Sequence, residues 1–265
     1  MSGAENNLTI LTNWARDLIS AVGFLTRLPV ARLLPSRDTD PAPKLLADVA
    51  WAFPLVGVIV GVVAAAALMV SSSFGLHPLA SALIALAVAA AVTGALHEDG
   101  LADLADGFGG GADTAAKLAI MRDSHVGTYG MLALIFSVGI RAAALAGMPG
   151  AGTAAMSLIT AACVSRALVV GVMSGLPAAR DDGLGRGAGK PETGTFLTAL
   201  AIAAVAAFVF SGAVAWVLLA IGGAATAAMM WLARRQIGGQ TGDVLGATQQ
   251  VCEMVILLAA AAVLG

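Results

Sequence analysis

The chain is 265 residues long, 59% hydrophobic and only 11% charged, with a formal net charge of -2 and a mean hydropathy of +0.91. A soluble domain carries about 25% charged residues, so the composition excludes a water-soluble globule and describes an integral membrane protein. The near-zero charge, without a basic patch, excludes nucleic acid as a partner.

In chain order, residues 8–29 place Leu8, Leu11, Trp14, Leu18, Val22 and Leu25 at helical spacing, with Arg16, Asp17 and Arg27 among them. This pattern fits a helix in the membrane interface, or one packed on the end of the bundle. Pro29 ends it, and the proline-bearing residues 35–43 read as a loop. The segment lacks the pattern of a signal peptide, so insertion is expected to rely on the first span.

A hydrocarbon core about 30 Å thick takes roughly 20 residues per helix. Spans are expected near residues 49–70, 79–96, 129–148, 154–176, 196–211, 213–232 and 251–264, the last being short. The run 196–232 far exceeds one crossing, and Ser211-Gly212 is the expected turn. The expected fold is an all-α polytopic membrane bundle of about seven transmembrane helices with an amino-terminal interfacial helix. Residues 1–48 would form the amino-terminal segment and 49–265 one transmembrane catalytic domain. Cys163 and Cys252 lie within these spans, without the spacing of a disulfide or of paired metal ligands, and read as packing residues.

Basic residues in short loops favour the cytoplasmic side. With the amino terminus inside, Arg16, Arg27, Lys44, Lys117, Arg122, Arg180, Arg186, Lys190, Arg234 and Arg235 all fall on that side, whereas the turns near His77 and Gly150 carry no Lys or Arg. Arg141 and Arg166 lie within spans. An arginine in a span must face the bundle interior or a wet cavity. Arg166, beside Ser165, is favoured as a site or ion-pair residue over Arg141, which is read as nearer the far side.

The loops after residues 96, 176 and 232 combine glycine with charge. The first begins His97-Glu98-Asp99-Gly100-Leu101-Ala102-Asp103-Leu104-Ala105-Asp106-Gly107. Asp99, Asp103 and Asp106 fall at i, i+4 and i+7, so on a helix they share one face and can converge. Glu98 points about 100° away from Asp99 and is the weaker ligand candidate. Oxygen-only donors suit a hard divalent cation, and Mg²⁺ pairs one or two carboxylates with substrate phosphates. The residues therefore read as a metal-dependent site for a phosphorylated substrate. Further on stand Met121-Arg122-Asp123-Ser124-His125-Val126-Gly127-Thr128-Tyr129-Gly130, the basic glycine-rich stretch from Arg180 to Lys190, and Thr241-Gly242-Asp243-Val244-Leu245-Gly246-Ala247 followed by Glu253.

Together these stretches resemble the cobalamin synthase (adenosylcobinamide-GDP ribazoletransferase) family. His97–Gly107 is similar to its H-x-D-G-L-A-D-x-x-D-G stretch, Met121–Gly130 to M-[KR]-D-S-x-x-G-[TS]-Y-G, and Thr241–Glu253 to T-G-D-x-L-G-A-x-x-x-x-x-E. Phe24-Leu25-Thr26-Arg27-Leu28-Pro29 and Phe53-Pro54-Leu55-Val56-Gly57 also resemble family segments. The resemblance implies a Mg²⁺-dependent bacterial inner-membrane enzyme whose active site faces the cytoplasm. Its substrates would be adenosylcobinamide-GDP and α-ribazole or α-ribazole 5′-phosphate, and its products cobalamin or cobalamin phosphate and GMP. Asp99, Asp103 and Asp106 would hold metal, with Asp123 and Asp243 for a further ligand or second ion. One carboxylate, or His97, would act as general base; a lone histidine at a helix end also reads as structural. Arg122, Arg166, Arg180 and Arg186 would meet the substrate, and Lys190 is a lesser candidate for its phosphates.

Two rival readings remain at this stage. Asp103-Leu104-Ala105-Asp106-Gly107 resembles the D-x-x-D-G opening of CDP-alcohol phosphotransferases, but the A-R pair that should follow is replaced by Phe108-Gly109-Gly110-Gly111. A cation or proton transporter would need acids along its spans, and here they cluster in loops.

Overall fold

The computed structural model describes residues 2–30, 44–180 and 187–265. Among them the chain forms helices and no named strand: α1 (Ser2–Leu25), α2 (Leu46–Val49), α3 (Phe53–Ser73), α4 (Pro78–Thr93), α5 (Leu96–Gly110), α6 (Thr114–Ile120), α7 (Thr128–Ala146), α8 (Ala151–Gly175), α9 (Thr193–Ser211), α10 (Ala215–Ile237) and α11 (Gly242–Leu264). Local chemistry sets several boundaries. Pro78 opens α4 and the His77 side chain accepts from the Leu79 amide, while the Asp113 and Thr241 side chains cap α6 and α11.

α8 is buried along almost its whole length and forms the axis of the bundle. α3 lies closely against it because Gly57 and Gly61 carry no side chain. A Cβ on Gly61 would stand 2.7 Å from Ile159 Cα, and one on Gly57 2.7 Å from Cys163 Cα. Close approach of this kind holds helices together where lipid offers no hydrophobic drive between them.

α9 runs antiparallel to α8: Phe196 sits at Gly171, and the Ser211 and Thr160 hydroxyls are 2.8 Å apart. α10 runs parallel to α8, with Gly222 at Leu168 and Met230 at Gly175. The chain therefore doubles back at Ser211-Gly212, as its length requires. Taken by length and hydropathy, five stretches among the described residues qualify as spans, with the doubled-back Thr193–Ile237 counted once, or six with the bent pair α4 and α5 joined; this measure does not confirm the expected count of about seven.

Boundaries differ from expectation at three places. α1 ends at Leu25, ahead of Pro29, the segment after residue 96 is a helix, and α11 begins at Gly242 rather than near 251. Thr248, Gln249 and Gln250 are buried among protein neighbours, so a stretch too polar to face lipid continues the last helix inside the bundle.

The turn from α4 into α5 positions the acids. Gly94 (φ 66°) and Ala95 (φ 57°) both adopt the left-handed conformation, and the two helix axes differ by 93°. A helix carrying Glu98, Asp99, Asp103 and Asp106 cannot face hydrocarbon, and α5 packs along α7 and α11, from Glu98 beside Arg141 and Gln250 to Asp106 at the first turn of α7. The amino-terminal segment braces this corner: the Arg27 amide donates to Val92 O at 2.7 Å, Val22 and Leu25 are buried, and Lys44 Nζ meets Asp17 Oδ1 at 2.7 Å.

Gly57→Val should cost about 1–3 kcal/mol, the usual penalty of overpacking. Gly139→Val, with open space at its Cβ position, should stay within about 0.5 kcal/mol. Unfolding in mixed detergent micelles, followed by circular dichroism, checks both.

Candidate active site

The charged loops gather at one end of the bundle. The Ala179 amide donates to Gln240 O at 2.9 Å and the Gln240 amide to Pro177 O at 2.8 Å, which joins the segment after α8 to the one before α11. Lys117 of α6 donates to Gln236 Oε1 at 2.5 Å. α5 crosses α11 at two glycines, where a Cβ on Gly100 would stand 3.0 Å from Asp243 O. That contact sets the aspartates of α5 beside the amino terminus of α11.

Asp99, Asp103 and Asp106 share a face of α5, as their spacing requires. Asp99 is exposed, Asp103 and Asp243 are half-buried and Asp106 is buried. Burial, together with the charges of Asp99, Asp243 and Asp106, raises the Asp103 carboxyl to about 7, with Arg180 acting against the rise. Arg180 Nη2 lies 3.4 Å from Asp243 Oδ2, and the Thr241 hydroxyl donates to the same oxygen at 3.1 Å. Arg180 Nε is buried without a hydrogen-bond partner.

Asp106 has a further duty. Its Oδ2 accepts from the Gly127 amide at 2.7 Å and its Oδ1 from the Gly130 amide at 2.9 Å. A carboxylate at the amino terminus of α7 satisfies donors the helix cannot. Any side chain on Gly130 would collide with it, which explains glycine at that position.

Asp123 does not join this group. It is exposed, and its Oδ1 lies 2.6 Å from His125 Nδ1, which lowers the Asp123 carboxyl and raises the His125 imidazole. Arg122 and Lys190 are exposed, and Arg186 lies outside the described residues. His97 is buried and lines both of the cavities described below.

Among the described residues no three His, Cys, Asp or Glu donors stand close enough together to hold an ion as they are, so the expected convergence on one point is only partly built. The donor chemistry nevertheless fits a hard cation: Asp99, Asp103, Asp106 and Asp243 offer only oxygen, and their mutual repulsion is what a divalent charge would relieve. Beside them opens a cavity with about 700 Å³ of empty space, mouth included, bounded by α1, α3, α5, α8 and α11.

Behind the aspartates lies a network that sequence reasoning did not assemble. Arg141 Nη1 donates to Glu253 Oε1 at 2.9 Å, and Arg141 Nη2 lies 3.7 Å from Glu98 Oε1. Arg166 Nη1 lies 3.9 Å from Glu253 Oε2 and donates to Ala162 O at 3.0 Å. Gln249 donates to Glu253 at 2.6 Å and Gln250 to Glu98 at 3.1 Å. Arg166 therefore faces the interior as expected, but Arg141, set aside as nearer the far side, is an equal member and makes the shorter bond. Glu98 points into this network and away from the aspartate face. The signal lay in the sequence as Gln249, Gln250 and Glu253 inside an apolar run, but which charges they meet depends on helix order. A second cavity, with about 300 Å³ of empty space, lies among these residues; Arg166 Nε and Glu98 Oε2 are buried there without partners.

Fold and site together define a polytopic membrane protein with a face of oxygen donors at one end of its bundle. Residues 17–261 match the family described as Cobalamin-5-phosphate synthase, and the chain belongs to that family. A relative from Bradyrhizobium diazoefficiens, named adenosylcobinamide-GDP ribazoletransferase, is 45% identical over 256 residues, 95% of each chain. One of the same name from Azorhizobium caulinodans is 43% identical over 91% of this chain and 94% of its own. A third, from Rhizobium meliloti, is 40% identical over 91% and 94%. No solved structure matches.

Two outcomes test this geometry. Because Asp103 is raised in the folded, metal-free protein from an ordinary value of about 3.9, its contribution favours folding below that value and is lost as pH rises through about 7. Relative to wild type, Asp103→Asn should therefore gain stability between pH 4 and pH 8 in chelator, and added divalent cation should abolish the difference, as read by thermal unfolding. Glu253→Leu, which leaves Arg141 and Arg166 facing Glu98 alone, should cost about 3–5 kcal/mol in the same measurement.

Proposed function

We propose that this chain transfers the cobinamide phosphate group of adenosylcobinamide-GDP to α-ribazole or α-ribazole 5′-phosphate, releasing GMP. The observation that carries the reading is family membership across nearly the whole chain, and the acidic face beside a large cavity supports it. In the reaction a ribose hydroxyl oxygen bonds to the phosphorus borne by cobinamide. The bond from that phosphorus to the bridging oxygen breaks, GMP leaves with the oxygen, and a carboxylate takes the hydroxyl proton.

Asp99, Asp103 and Asp243 are the residues that would hold Mg²⁺, with Asp106 bridging the face to α7. The ion would supply neutralisation of charge on the diphosphate. Arg180, already among the acids and with Nε unpartnered, is placed to meet a phosphate oxygen and to move away from Asp243 as it does so. Arg122, on the turn after α6, is a second cation for the leaving nucleotide. Arg141 and Arg166 act through the network that fixes α5 against α7, α8 and α11, without contacting substrate. His97, walled in between the cavities, is assigned to support. The distribution of basic residues supports a site facing the cytoplasm, at the bacterial inner membrane.

The test uses detergent-purified protein with adenosylcobinamide-GDP, α-ribazole 5′-phosphate or α-ribazole, and Mg²⁺, with mass spectrometry for GMP and the corrinoid product. Both products should appear with metal, vanish with chelator, and fall at least about 100-fold in Asp103→Asn, in line with loss of an electrostatic group at a reacting centre. Absence of product from folded wild type with either nucleoside overturns the reading. Since protons compete with the cation for Asp103, the Mg²⁺ needed for half-maximal rate should rise about tenfold per pH unit below about 7.

A further inference from the structure

We infer that the apolar half of the large cavity seats the flat aromatic base of the nucleoside acceptor, so that α1, α2, α3 and α8 set which base is accepted. The inference rests on the transferase reading above and assigns one of its two substrates to one part of the site.

The lining combines two chemistries. α1, α2, α3 and α8 contribute Phe24, Leu25, Leu46, Phe53, Val169 and Met173, all carbon or thioether at their tips, whereas α5 and α11 contribute His97, Asp99 and Asp243 together with Leu96 and Leu245. Gly100 and Gly246 face each other where α5 crosses α11, so the two acid-bearing helices meet backbone to backbone at the cavity's edge.

Two bulky molecules must meet here, and the apolar side suits only one part of one of them. A guanine edge buried against those walls would leave its donors and acceptors unpaired, at about 1–3 kcal/mol for each group. The amide-fringed periphery of a corrinoid would suffer the same penalty many times over. The base of ribazole is a benzimidazole bearing two methyl groups, and it brings a hydrocarbon edge and a single free ring nitrogen. Flat apolar rings gain most from walls of Phe, Leu, Val and Met. With the base seated there, its ribose emerges toward Asp99 and Asp243, where the attacking hydroxyl is needed, and the corrinoid nucleotide stays at the open mouth. A lipid acyl chain is the competing occupant.

The experiment compares α-ribazole with the same nucleoside lacking both ring methyls, each substrate being varied in turn at saturating levels of the other and of Mg²⁺, using the full chain in detergent. In wild type, loss of the methyls should raise KM for the nucleoside at least tenfold, the usual scale for methyl-sized changes in an apolar pocket, and leave KM for adenosylcobinamide-GDP within twofold. Val169→Phe fills the cavity: KM for α-ribazole should rise at least tenfold, and preference should reverse toward the unmethylated base. Leu46→Ala, on the half-buried α2, opens the same space and should erase discrimination between the two bases. Preference is a ratio, so it is insensitive to how much of a variant folds.

Variants that keep the wild-type preference overturn the assignment and make the cavity a lipid seat. Variants that raise KM for adenosylcobinamide-GDP instead overturn it in favour of the corrinoid. Wild type that forms no product with either nucleoside overturns the transferase reading, and this assignment with it.

Discussion

The structure depends on keeping charge out of hydrocarbon in a chain that is otherwise almost wholly apolar. Two solutions are used side by side. At the corner between α4 and α5, two consecutive residues in the left-handed conformation turn the chain by 93° and carry Asp99, Asp103 and Asp106 to the end of the bundle. Ala95 holds that conformation without glycine's freedom, a strain of about 1–3 kcal/mol that the packing of Arg27 and the amino-terminal segment against the corner must hold in place. Inside the bundle, Arg141 and Arg166 are matched by Glu98 and Glu253. These side chains come from α5, α7, α8 and α11, so they also lock four helices at one relative position.

The two solutions meet on a single helix. Glu98 and Asp99 are neighbours in sequence, yet one turns inward to the buried ion pairs and the other outward to the acidic face. A helix tied down on one side by charge presents its other side as a rigid platform, which is what a site for phosphoryl transfer needs, since positioning and electrostatics do most of that work. Asp106 extends the same logic to α7 by accepting two of its amino-terminal amides.

Repulsion among the aspartates is then the stored feature of the site. Burial first, and then the charges of Asp99, Asp243 and Asp106, raise the Asp103 carboxyl to about 7, with Arg180 opposing the rise. A divalent ion among these oxygens would relieve that repulsion. Arg180 stands at the centre of this exchange, because it now serves Asp243 and would serve a phosphate in its place.

Much of this was legible in the sequence because it depends on local period and composition. Hydropathy alone determined that the chain crosses a membrane as a helical bundle and that residues 196–232 must double back, since no single helix of that length fits a bilayer. The spacing of Asp99, Asp103 and Asp106 determined their common face, because 3.6 residues per turn leaves no other arrangement on a helix. Tertiary structure alone decided the rest. It placed Asp243 with them and left Asp123 in solvent, through a glycine-to-glycine crossing of helices far apart in sequence. It also gave Arg141 the same buried partners as Arg166 and extended α11 through its glutamines, since a polar residue in a span is tolerated only where a neighbouring helix satisfies it, and sequence does not record which helices become neighbours.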